Sequence, residues 1–244
     1  MGLAIVRQAE GQKEYMSNTT QRPDGSSVTF AEHFIHTDGL RMRYLEAGHG
    51  SPVVVLHTAE GLQQPELHTL LARQFRVIAF EIPGVGLPPH DVARTLTQAS
   101  LAVGLEQYVL VSSAANASIA LWQAIDTPEQ GDGLVGLVLI SPTVLLPEGR
   151  IAASGFARDP ELERRLADVQ VATLVLVGTN DEILPAETGP RYVEHIPHCY
   201  YVLVYDAGHA IETDRPDALC TAVGDFVERR DAFIVEQNNT AINP

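Results

Sequence analysis

The sequence predicts an α/β domain built on a mostly parallel sheet of about eight strands flanked by helices. Three observations lead there. From Phe30 onward, short β-branched runs alternate with longer amphipathic stretches, the rhythm of βα units. The later runs are continuously apolar, as in parallel strands covered on both faces. At 244 residues with 45% hydrophobic content, the chain is long enough for one large core.

The strands are expected at 30–36, 40–46, 53–57, 75–80, 107–112, 134–140, 172–177 and 199–205. The first two alternate polar with apolar and suit an antiparallel pair at the sheet's edge. Helices are expected at 64–73, 90–103, 115–126, 186–195 and 214–230. The last has Pro216 in its first turn and arginines at its end, both favourable to a helix. Residues 1–29 read as a flexible arm, 30–232 as the domain and 233–244 as a tail. Within the domain, 144–170 interrupts the rhythm and leaves room only for a small cap or linker.

Sixteen basic against thirty-one acidic side chains give a net charge of -15. Such a surface repels phosphate backbones and anionic lipid, which argues against nucleic-acid and membrane partners. Cys199 and Cys220 have no metal-like spacing, and the N-terminal apolar run is too short for a signal peptide or membrane span. The cytoplasm is therefore the expected location, with a small molecule as the expected partner. A homo-oligomer stays open.

Four segments carry the chemistry. His57-Thr58-Ala59-Glu60-Gly61 follows a buried strand, and Ser112-Ser113-Ala114-Ala115-Asn116 joins a strand to a helix. Gly178-Thr179-Asn180-Asp181 follows the next-to-last strand, and Gly208-His209 follows the last. In order and spacing these resemble the α/β-hydrolase superfamily, whose nucleophile, acid and histidine follow in that sequence. The stretches EIPGVGLPP and VLVYDAGHAIETDRP add to the likeness, which spans about Phe30 to Arg230.

The resemblance implies that Asp181 orients His209, and that the backbone N–H groups of Ala59 and Ala115 form the oxyanion hole. It places His57, Thr58 and Glu60 around the substrate, with His57 shaping the loop rather than reacting. The other histidines, His68 among them, show no ligand spacing. No metal and no cofactor are implied.

The departure is at the elbow, where the strand and the following helix put Ala114 at the nucleophile position. Alanine has no lone pair, so acyl transfer through it is impossible. A register shifted by one would make Ser113 the nucleophile, but Val111 would then crowd the turn. Three readings follow. In the first, Ala114 is a substitution for a natural serine that completes a hydrolase of small esters, lactones or C–C bonds next to a carbonyl. Alternatively, the Asp–His pair works alone as a general base in lyase, isomerase or other cofactor-free chemistry. In the third, the chain is a non-catalytic relative that binds a small molecule or a protein.

Overall fold

A computed structural model describes residues 3–6, 28–37, 40–57, 66–82, 86–127, 133–150 and 158–238; for 3–6 and 230–238 only the backbone is described. The strands are β1 (Leu3–Val6), β2 (Ala31–Thr37), β3 (Leu40–Ala47), β4 (Pro52–His57), β5 (Arg76–Glu81), β6 (Gln107–Ser113), β7 (Gly133–Ile140), β8 (Ala172–Gly178) and β9 (Cys199–Val204). The helices are α1 (Glu66–Ala72), α2 (Pro89–Ala102), α3 (Ala117–Asp126), α4 (Pro160–Arg165), α5 (Thr188–His195), α6 (Ile211–Asp214) and α7 (Pro216–Asn238).

One sheet runs in the order β1-β9-β8-β7-β6-β4-β5-β3-β2. The β2–β3 and β3–β5 pairs are antiparallel, and the other neighbours are parallel. After β4 the chain steps outward to β5, then returns across β4 to β6. That reversal opens a crevice at the carboxyl ends of β4 and β6, where open α/β sheets hold their ligands.

Alternation along each strand divides the core in two. Leu110 of β6 packs with α2, α3 and α5 residues such as Leu96, Leu121 and Tyr192. Its neighbours Val109 and Val111 pack on the other face with Leu67 and Leu71 of α1 and Val223 and Phe226 of α7. Phe226 is fully buried, and burying an aromatic side chain of this size contributes roughly 1.5–3 kcal/mol. The sheet is thereby packed between two helical layers.

All eight expected strands are present, with their ends displaced by no more than a residue or two. Three features differ from the expectation. Leu3–Val6 forms a ninth strand parallel to β9; four apolar residues are too few for a period to show. Helix α7 continues past 232 to Asn238. Helix α4 lies inside the segment read as cap or linker: Asp159 caps it by accepting from Leu162 N–H at 3.0 Å, with Pro160 in its first turn. Among the described residues no helix is long and apolar enough to cross a bilayer.

Candidate active site

At the end of β6, Ser113 is still extended (φ -122°, ψ 155°), and the chain then breaks sharply. Ala114 has φ 48°, in the left-handed region, and opens a single 3₁₀ turn to Asn116 that runs straight into α3. The sharp turn thus falls at 114 and not at 113. Three non-glycine residues among those described have positive φ: Ala114, Ser141 and Asp206. Each lies just beyond the carboxyl end of a strand, β6, β7 and β9 respectively. Backbone strain is therefore concentrated along one rim of the sheet, as it commonly is at functional sites.

Asp181 follows β8 and its side chain is wholly buried. Its Oδ1 accepts from the N–H groups of Ile183 and Leu184 at 2.9 and 2.8 Å. Its Oδ2 lies 2.8 Å from Nδ1 of His209. Burial alone would raise the carboxyl's pKa, but the contact with His209 and the two backbone donors outweigh it and hold the group below its usual value. An ionised carboxylate only accepts, so Nδ1 of His209 donates to it and Nε2 is the ring nitrogen left to exchange a proton with a reacting group. That Nε2 is buried and has no hydrogen-bond partner.

The histidine loop is pinned from several sides. Gly208 N–H donates to Oδ2 of Asp214 at 2.7 Å, and the Arg215 guanidinium donates to the Tyr205 carbonyl at 2.6 Å. Asn180 N–H donates to the Ala207 carbonyl at 2.9 Å, which joins the acid loop to the histidine loop. Gly178 allows the two loops to touch: a Cβ there would collide with the Ala207 and Gly208 carbonyl oxygens.

His57 ends β4, and its Nε2 lies 2.9 Å from Nε2 of His68 on α1, ring edge toward ring face at 78°. Burial lowers the His57 pKa to about 4; burial and then the neighbouring His57 lower that of His68 to about 3. Both rings are therefore neutral near pH 7, one donating to the other. His68, expected to be solitary, is the partner of His57; a strand residue and a helix residue eleven apart leave no periodic signal. Thr58, Ala59 and Glu60 lie outside the described residues. Ala115 occupies the turn directly after Ala114. Sequence reasoning also passed over Asp214 and Gly178 as supports, although the motif that contains His209 extends to Asp214. Among the described residues no three His, Cys, Asp or Glu side chains group as a metal site.

This sheet order, with its strained turn after β6 and its acid and histidine loops after β8 and β9, is that of the α/β-hydrolase fold. No protein-family model matches the chain. Among curated proteins it is 24% identical to 2-hydroxy-6-oxo-6-(2'-aminophenyl)hexa-2,4-dienoic acid hydrolase of Metapseudomonas resinovorans, over 88% of this chain and 97% of that one. It is 27% identical to protein ABHD14A of Rattus norvegicus, over 75% and 74% of the two chains. Among solved structures, a serine hydrolase involved in carbazole degradation superimposes with a TM-score of 0.68 at 20% identity, covering 82% of this chain and 99% of that one.

Proposed function

We propose that this chain carries a hydrolase-type site for a small ester, lactone or C–C bond next to a carbonyl, with Ala114 in the nucleophile's place. The observation that supports it most is the buried, unpartnered Nε2 of His209, backed by the Asp181 carboxylate. A lone pair left without a partner in a buried site is costly unless a reacting group is to meet it. The retained left-handed turn at Ala114 adds to this, since it is the turn that lifts a nucleophile off the sheet. The names of the relatives, a dienoic acid hydrolase and a serine hydrolase, point the same way.

With serine at 114, His209 takes the hydroxyl proton as the oxygen attacks the carbonyl, then returns it to the leaving group. Water, deprotonated by the same nitrogen, releases the acyl group. Backbone N–H groups at Ala59 and Ala115 would hold the oxyanion, and His57, Thr58 and Glu60 would border the substrate. With alanine there, no acyl-enzyme forms. The experiment compares the Ala114 protein with Ala114→Ser on short-chain aryl esters. Ala114→Ser gains hydrolysis by about 10⁴-fold or more, since members of such a unit act together. No gain in a folded variant contradicts the reading.

A second reading rests on the same lone pair. The Asp181–His209 base can remove a proton from an acidic C–H or O–H of the substrate itself, which needs no residue at 114. Turnover of a non-ester substrate by the Ala114 protein, abolished by His209→Ala, would favour it. Two free, buried cysteines and the charge of -15 support a cytoplasmic protein acting on a small molecule rather than on nucleic acid or membrane.

A further inference from the structure

Beside the elbow, at the carboxyl ends of β4, β6 and β7, lies a cavity of about 220 Å³ with His57 in its wall. His57, His68, Ser112, Ser113, Glu212 and Thr213 supply its polar lining, and aliphatic side chains of β4, β6, β7 and α1 supply the rest. Its volume far exceeds the roughly 30 Å³ that one water occupies in the liquid. It therefore accommodates a small organic group.

The polar lining has an asymmetry. Ser112 is buried, and its hydroxyl has no partner. His68 is 2% exposed and joined to His57, so the two rings act as one neutral unit whose tautomers are coupled. When one Nε2 donates, the other ring must accept there and carry its proton on Nδ1. Among the described residues Glu212 is the one charged side chain in the lining, and no Lys or Arg accompanies it. An anion entering would lose its hydration, find no cation and face a carboxylate. A donor would find a carboxylate and hydroxyl oxygens.

We infer that this cavity is a subsite for a small uncharged or cationic group that donates hydrogen bonds, an amine or a hydroxyl, and that it rejects carboxylates. As the seat of one end of a substrate it rests on the hydrolase-type reading, but binding there requires no turnover. Ser113 matters here for its small size: next to the elbow, it leaves open space that a longer side chain would occupy.

The test uses three probes of one shape, benzylamine, benzyl alcohol and benzoate, titrated into the Ala114 protein. Binding is followed through the histidine ring ¹⁵N resonances. Benzylamine and benzyl alcohol shift His57 and His68 saturably, and benzoate binds at least about tenfold more weakly. Glu212→Gln weakens benzylamine by about tenfold and leaves benzyl alcohol within about twofold. Benzoate binding as well as benzylamine, shifts confined to His209, or no response to any probe would each overturn the subsite. If Ala114→Ser gains esterase activity while the His57 and His68 rings stay silent, the subsite falls and the hydrolase reading stands. Selective binding without gained hydrolysis gives the converse.

Discussion

Ala114 holds a left-handed conformation that costs an L residue roughly 1–2 kcal/mol. Replacement by glycine relieves that cost but adds freedom to the unfolded chain, so Ala114→Gly is expected to stabilise by about 0.5–1 kcal/mol. Urea midpoints of the two proteins check this, and a loss of stability would show the turn to be unstrained. The titrating groups make a second set of expectations. Asp181 is depressed in the native state, so its stabilisation is full above the unfolded value of 3.8 and is lost as pH falls through the lower native value. The His57–His68 pair is also depressed. Its contribution is complete above 6.5 and is lost as pH falls from there through about 4, because the unfolded rings take up protons first. Stability of the native protein should therefore climb between pH 4 and 6.5, and His68→Leu should flatten that climb. An unchanged slope would mean that the pair is not held neutral.

At the scale of elements, the site depends on how closely two loops approach. Gly178 ends β8 where backbone meets backbone, so Gly178→Ala must push the histidine loop away from the acid loop. A destabilisation of about 2–3 kcal/mol is expected, with loss of the Asp181–His209 contact. The readout is the downfield proton resonance of His209 Nδ1–H, which should disappear in the variant while the fold persists. Most elements were legible in the sequence because apolar period and punctuation agreed, as in the continuous run of β8 and the proline that opens α7. Leu3–Val6 was not legible, because four apolar residues are compatible with almost any structure. Helix α4 did carry a signal, the Asp159-Pro160 start, but its single turn and a half shows no amphipathic period. The elbow and the acid–histidine loops could be placed because motifs fix them relative to strand ends. The His57–His68 contact could not, because it depends on the packing of α1 against β4.

For the whole molecule, the excess of acid over base makes self-repulsion a term in stability. Raising NaCl from about 10 to about 200 mM should raise Tm by roughly 2–5 °C, since screening relieves repulsion more than it weakens exposed ion pairs. A falling Tm would show that ion pairs such as Arg43–Glu32 and Arg158–Glu163 outweigh it. The fold brings β6, β8 and β9 to one rim, and with them an elbow, a buried carboxylate and a histidine with a free lone pair. On the proposed reading, this assembly lacks a single oxygen. The most direct measurement is peptide mass spectrometry after an aryl phosphonate reacts with Ala114→Ser. One adduct is expected, on residue 114, absent from the Ala114 protein and from Ala114→Ser carrying His209→Ala. An adduct on Ser113, or no adduct on a folded Ala114→Ser protein, would contradict it.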